Sequence, residues 1–204
     1  MRILLIDDNE KLCVLYQQVL TKGGHETDYL TDPTKALDTI RNTKPELILL
    51  DIIQEPISGW DVLEQVRSDP EYFQIPIIIL TGKVLTTDEA IRYGLKIEGF
   101  IMKPLERNML LAAISEMKEL LDESEDMYER ALSAGMSPEK ASECRNSTKK
   151  KRILKFLEET LSKQEKILAG EEYGRPDILQ NLDVLRDLIT RELLKINKII
   201  QDCP

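Results

Sequence analysis

The sequence predicts an α/β chain in which a doubly wound, five-stranded parallel sheet occupies the first half and an all-α region of long helices follows. Three observations carry this prediction. Short apolar runs alternate with segments of helical periodicity up to about residue 102, and strands joined by right-handed helical crossovers form a parallel sheet covered on both faces. The runs lack a polar alternation, as expected of strands buried on both sides. Beyond Pro104 no further strand-like run occurs, and apolar residues step by fours and threes.

Arg2-Ile3-Leu4-Leu5-Ile6 is the first predicted strand, and it ends in Asp7-Asp8. Asn9 to Lys22 places Leu12, Leu15, Tyr16, Val19 and Leu20 on one helical face, which Gly23-Gly24 terminates. His25 to Leu30 is a weaker strand, after which Asp32 caps a helix with Pro33 at its first position and Ala36, Leu37 and Ile40 inward. Glu46-Leu47-Ile48-Leu49-Leu50-Asp51 is the third strand and closes on a carboxylate. A loop with Pro56 and Gly59 precedes a helix from about Trp60 to Arg67, with Val62, Leu63 and Val66 inward. Ile75 to Leu80 is the fourth strand, with its proline confined to the start, where a missing donor is tolerated. A short helix over Thr87–Tyr93 leads to the fifth strand, Gly99 to Met102, which ends in Lys103-Pro104.

Leu110, Ile114, Met117, Leu121, Ser124, Tyr128 and Ala131 carry a fifth helix to about residue 133. Gly135 ends it, and Ser137-Pro138 opens another helix over about 138–169. Gly170 to Pro176 forms a turn, and Ile178, Leu182, Leu185, Ile189, Leu193, Ile196 and Ile200 stripe a last helix over about 176–201. The expected division is a sheet domain over 1–121 and a helical hairpin or bundle over 122–204.

Composition limits the function. The 204 residues are 42% hydrophobic and 32% charged with a formal net charge of -9, which argues against a general polyanion binder. Residues 1–120 hold 13 basic and 20 acidic side chains and the remainder 15 and 17, so neither half is net basic. Cys13, Cys144 and Cys203 are odd in number and widely separated without metal-ligand spacing, so reduced thiols are expected rather than a disulfide framework or zinc site. No run approaches the roughly 20 apolar residues of a membrane span, and the N-terminus opens on a strand-like run rather than a signal peptide. A cytoplasmic location and no membrane partner are expected.

Ligands of doubly wound sheets gather at the carboxyl ends of the strands. Those ends carry Asp7, Asp8, Asp51, Thr81 and Lys103. Three converging carboxylates repel unless a cation balances them, and Mg2+ suits hard oxygen ligands, takes few carboxylates and keeps waters. Asp51 would attack a phosphoryl donor through a carboxylate oxygen, Lys103 would offset the developing charge, and Thr81 would hydrogen-bond a phosphoryl oxygen.

This set, in this order and close to the usual spacing, resembles the receiver domain of two-component response regulators over roughly residues 1–121. The resemblance implies a flavodoxin-like sheet in strand order 2-1-3-4-5. It implies that Asp51 is the phosphoacceptor for a sensor kinase phosphohistidine. Asp8 and Asp51 would be direct Mg2+ ligands, Asp7 a ligand mainly through water, and the main-chain carbonyl of Ile53 the remaining protein ligand. Lys103 would pair with the acyl phosphate, and Thr81 and Phe100 would form the hydroxyl and aromatic switch pair.

The chain departs from the family pattern where Glu55 precedes Pro56, five residues beyond Asp51 rather than four. Ile53 and Lys83 occupy the positions that in the family tune phosphoryl loss by positioning water. Ile53 offers that water no hydrogen bond, so a long-lived phosphorylated state is expected, and acyl-phosphate decay within seconds in Mg2+ buffer would rule it out.

The expected output is a helical protein-interaction or dimerisation region serving an unidentified downstream protein. No enzyme activity is expected beyond the uptake of a phosphoryl group from phosphohistidine or a small phosphodonor. The alternative is a DNA-binding regulator using the C-terminal helices, which would need a recognition helix or winged strand pair and a positive face. The long helices and the acidic balance speak against it, so nucleic acid is not an expected partner. Lys149-Lys150-Lys151-Arg152 is the one basic run and reads as a solvated helix face. His25, the only histidine, lies outside the C-terminal helices, which excludes a phosphohistidine relay there.

Overall fold

The computed structural model describes residues 1–83, 86–94, 96–103, 107–169 and 176–204. For residues 87, 90, 91, 102, 156, 157, 159–169, 176–182, 184 and 185 it describes the backbone alone. Pro104 and the expected turn at 170–175 lie outside the described residues. The elements are β1 (Arg2–Ile6), α1 (Glu10–Lys22), β2 (Glu26–Leu30), α2 (Ala36–Thr43), β3 (Leu47–Leu50), α3 (Gly59–Ser68), β4 (Ile77–Thr81), α4 (Thr87–Tyr93), β5 (Gly99–Met102), α5 (Arg107–Ser133), α6 (Pro138–Ala169) and α7 (Pro176–Gln201). Two compact units result, one of Met1–Leu85 with Tyr93–Ala112 and one of Thr86–Arg92 with Ala113–Pro204.

In the first unit the sheet is parallel throughout, in the order β2-β1-β3-β4-β5 that the resemblance implies. All four β3 residues are buried, as are all five of β4, which matches their unbroken apolar runs. Ile48, Leu50, Ile77 and Ile79 join Val62, Leu63 and Val66 of α3 and Ala36 and Ile40 of α2 in one core cluster. Trp60 belongs to it as well, its ring stacked on Tyr93 at 4.2 Å between centroids.

Caps explain where the helices begin. The Asn9 side chain accepts from the Leu12 amide at the start of α1. Ser58 and Asp61 form a reciprocal capping box at α3, which anchors the far end of the turn that follows β3. Asp32 and Pro33 open a 3-10 turn over Pro33–Lys35 before α2 becomes α-helical at Ala36. One expected face is corrected: Leu15 is 52% exposed, whereas Cys13, Tyr16 and Leu20 are the buried residues of α1. Cysteine packs as a small hydrophobe, so the i, i+3, i+7 series from Cys13 outcompetes the one through Leu15.

A network that no sequence pattern announces lies at the edge of the sheet where β4 and β5 begin. Arg67, at the end of α3, donates from Nε to the Lys96 carbonyl at 2.7 Å and from Nη1 to the carbonyls of Phe73 and Ile75 at 2.9 and 2.8 Å. Its Nη2 pairs with Glu98 Oε2 at 2.8 Å, and that oxygen also accepts from the Ile77 amide at 2.7 Å.

The second unit is helical apart from its turns among the described residues. Gly135, with φ of 84°, makes the turn between α5 and α6 in a left-handed conformation that favours glycine. Around this turn Ala131, Ala141 and Cys144 are buried with Met127, Tyr128, Met136 and Cys203 against them. The expectation of three reduced thiols is corrected here, because Cys144 and Cys203 form a disulfide with Cα atoms 5.9 Å apart. The pair is separated by 59 residues, and only the return of α7 alongside α6 brings it together. Cys13 is the remaining free thiol.

Two residues of the basic run bind neighbouring helices. Lys150 pairs with Glu192 of α7 at 3.1 Å and Arg152 with Glu123 of α5 at 3.6 Å. Arg145, one turn earlier, pairs with Glu125 at 3.4 Å and lies over the Tyr128 ring. In α7, Ile189 and Ile196 of the expected stripe are buried.

Candidate functional site

The sheet topology gathers the polar strand ends. β1 and β3 are neighbours with Ile6 opposite Leu50, so Asp7 and Asp51 leave the sheet side by side. β4 pairs with β5, and the Lys103 amide donates to the Thr81 carbonyl at 2.8 Å, extending that ladder one residue past Met102. Lys103 Nζ then lies 2.5 Å from Asp7 Oδ2 and 2.6 Å from Asp51 Oδ2. One ammonium thereby joins the ends of three strands.

Both carboxylates are buried, Asp7 at 1% exposure and Asp51 at 7%. Each also accepts a main-chain hydrogen bond that fixes its other oxygen: Asp7 Oδ1 from the Asn9 amide at 2.9 Å and Asp51 Oδ1 from the Ile53 amide at 3.0 Å. Burial disfavours the charge on Lys103, but the hydrogen bonds and charges of Asp51 and Asp7 outweigh it and hold its pKa above the ordinary lysine value.

Asp8 differs from Asp7 in being exposed, and its Oδ2 accepts from the Glu55 amide at 3.0 Å. The turn after β3 is thus tied back to the acids after β1. Thr81 is fully buried, and its hydroxyl oxygen accepts from the Lys83 amide at 3.2 Å. Phe100 is buried in the core cluster and sits opposite Ile79 in the sheet. The Ile53 side chain is 56% exposed. Asp7, Asp51 and Lys103 are therefore in direct contact, Asp8 is linked through the Glu55 amide, and Thr81 through the main chain.

Three neighbours were not expected from sequence. Cys13 Sγ donates to the Asp7 carbonyl at 3.2 Å, and burial, followed by the charge of Asp7, pushes its thiol up to about 12. Burial also raises the Tyr16 phenol, with Lys103 opposing and Asp7 and Asp51 adding to the rise. Gln54 is buried and donates from Nε2 to the Asp51 carbonyl at 2.9 Å. Helical spacing marks Tyr16 as core alone, Cys13 is expected only as a reduced thiol, and nothing in the sequence marks Gln54.

Asp7, Asp8 and Asp51 carry three negative charges against the one positive charge of Lys103, and a divalent cation would balance the remaining two. Among the described residues no group of three or more acidic, histidine or cysteine side chains forms a cage of its own. A few carboxylates, a main-chain carbonyl and water are the donors that Mg2+ takes, so Asp8, Asp51 and the Ile53 carbonyl fit it.

The strand order and the acid–lysine cluster at the carboxyl edge are those of a receiver-type α/β protein. Residues 3–115 match the response regulator receiver domain family, and the chain belongs to that family. It is 34% identical over 113 residues to the DNA-binding response regulator MtrA of Mycolicibacterium paratuberculosis, covering 55% of this chain and 49% of that protein. The chain therefore spans about half the length of the MtrA relative. It is also 34% identical over 104 residues to the polar-differentiation response regulator DivK of Brucella anthropi, covering 50% of this chain and 84% of that one. Among solved structures, a response regulator from Desulfuromonas acetoxidans matches with a TM-score of 0.53 and 27% identity, over 59% of this chain and 98% of that one. Among the described residues no helix is long and apolar enough to cross a membrane.

Proposed function

We propose that the chain is a cytoplasmic response regulator that takes a phosphoryl group onto Asp51 from the phosphohistidine of a sensor kinase and signals through its C-terminal helices. The observation that carries this reading is the single Lys103 ammonium held between the buried Asp7 and Asp51 carboxylates. In the transfer, a carboxylate oxygen of Asp51 forms the new P–O bond while the donor's P–N bond breaks, and the imidazole nitrogen leaves with the bonding pair and takes up a proton. Lys103 stays beside the acceptor and offsets the charge that collects on the phosphoryl oxygens. The Thr81 hydroxyl donates to one of those oxygens. Asp8, Asp51 and the Ile53 carbonyl would hold Mg2+, with Asp7 assisting; when bound, the ion would screen the acids and neutralise phosphoryl charge. The chain turns over no other substrate.

Phosphorylation adds charge at Asp51 and biases a two-state arrangement of Thr81 and Phe100. The output is a protein contact, with a second copy or a downstream partner. Supporting this, Lys150 and Arg152 of the basic run are engaged with Glu192 and Glu123 within the helical unit. MtrA is named as DNA-binding, but the likeness spans 113 residues and the family match ends at residue 115.

Incubation with acetyl phosphate and Mg2+ should yield one hydroxylamine-labile phosphopeptide, the one containing Asp51; label elsewhere would overturn the acceptor assignment. Sedimentation with and without beryllofluoride tests the output, and an unchanged mass and shape together with no partner response would contradict it.

A further inference from the structure

The turn after β3 is held by side chains in a way the transfer chemistry does not use. Asp51 Oδ1 accepts from the Ile53 amide at 3.0 Å, while Gln54 Nε2 donates to the Asp51 main-chain carbonyl at 2.9 Å. One bond runs from the acid forward to residue 53, and the other runs from residue 54 back to the acid. The Ile53 peptide lies between these two attachments. The same Asp51 carbonyl is closely approached by Gly59, where a Cβ would stand 2.0 Å from its oxygen. The Glu55 amide donates onward to Asp8 at 3.0 Å. Asp8, Asp51 and Ile53 are thus all linked to this short turn.

Gln54 is an unusual residue for the place it fills. It is 7% exposed, and its Oε1 is buried without a hydrogen-bond partner. A side chain selected for filling space there would be apolar, because burying an amide is unfavourable unless its polar atoms are paired. The one bond it makes is to the phosphoacceptor's own backbone.

We propose that Gln54 is a positioning residue for the cation site: its bond to the Asp51 carbonyl fixes the Ile53 peptide, and with it the main-chain oxygen that joins the carboxylates in binding Mg2+. The inference rests on the reading of Asp8, Asp51 and Ile53 as the Mg2+ site. Partners that orient a metal ligand without touching the metal influence affinity strongly, so removing this donor is expected to weaken Mg2+ binding about tenfold.

The test is calorimetric titration of the full chain with Mg2+ in the absence of any phosphodonor, comparing wild type, Gln54→Met, Ile52→Val, Asp8→Asn and Asp51→Asn. Met keeps the length of Gln without the donor, and Ile52→Val removes one methylene from a buried neighbour without touching the bond. The expected result is about tenfold weaker binding in Gln54→Met and unchanged binding in Ile52→Val. With acetyl phosphate, the half-saturating Mg2+ concentration should rise in step for Gln54→Met while the rate at saturating Mg2+ stays within about twofold of wild type. If Gln54→Met does not fold, Gln54→Asn, whose amide stops one methylene short, is expected to weaken Mg2+ binding in the same direction. Binding by the Gln54 variant equal to wild type overturns the role of Gln54 alone, provided Asp8→Asn and Asp51→Asn lose Mg2+. The same holds if Ile52→Val weakens binding equally. Wild type that binds no Mg2+, or acid variants that bind it normally, overturn the site reading and this inference together.

Discussion

Lys103 and Cys13 both bond to Asp7, and both bear on how the site answers to pH. Cys13 donates to the Asp7 carbonyl, while Lys103 pairs with its carboxylate. The Cys13 thiol rises from 9.0 to about 12 through burial first and the Asp7 charge second. The unfolded chain therefore releases this proton at lower pH than the folded chain does. Stability is present in full below pH 9 and falls as pH rises towards 12, by about 1.4 kcal/mol per pH unit. Lys103 acts in the same direction: its folded pKa is raised, so its contribution is complete below the ordinary lysine value and is lost as pH rises through the folded one. Denaturant titrations from pH 8 to 11 should show an alkaline decline in stability that is shallower in Cys13→Ala, and equal slopes would contradict the burial argument. The acids, hydroxyl and lysine of the site were legible because each ends a strand. Gln54 was not, because what it contributes is a bond to a main-chain carbonyl, and any residue could have supplied that carbonyl.

At the scale of elements, the strands were legible because short uninterrupted Ile and Leu runs, alternating with helical segments, suit strands buried on both faces, as β3 and β4 are. Two helix starts were legible from their caps, Asp32-Pro33 before α2 and Ser137-Pro138 before α6, although the first turn before α2 is 3-10 rather than α. The Arg67 network was hidden for the same reason as Gln54: three of its four acceptors are main-chain carbonyls. It ties the end of α3 to the segments entering β4 and β5, with Arg67 and Glu98 side chains only 13% and 11% exposed. Removing one partner of a buried pair leaves the other charge uncompensated, so Arg67→Met should cost about 3 kcal/mol. Chemical denaturation measures this, and a loss below about 1 kcal/mol would place the pair with ordinary surface ion pairs. Phosphoryl uptake by the folded fraction should be unchanged, since the network lies at the opposite edge of the sheet from Asp51.

For the whole molecule, the bounds of the long helices α5, α6 and α7 were legible from apolar stripes and from Gly135 and Pro138. The Cys144–Cys203 bond was not, since 59 residues of sequence conceal a contact made only when α7 returns along α6. Closing a loop of that length restricts the unfolded chain, and its removal in Cys144→Ser/Cys203→Ser should cost the helical unit about 4 kcal/mol. Thiol titration in denaturant should find one free thiol before reduction and three after; three before reduction would contradict the pairing. The larger claim is that Asp51, set among acids, hydroxyl and lysine from separate strands, is where the phosphoryl group enters. The direct measurement is the intact mass of wild type beside Asp51→Asn after incubation with acetyl phosphate and Mg2+. Wild type should gain one phosphoryl group and Asp51→Asn none; equal gain by both would contradict the assignment.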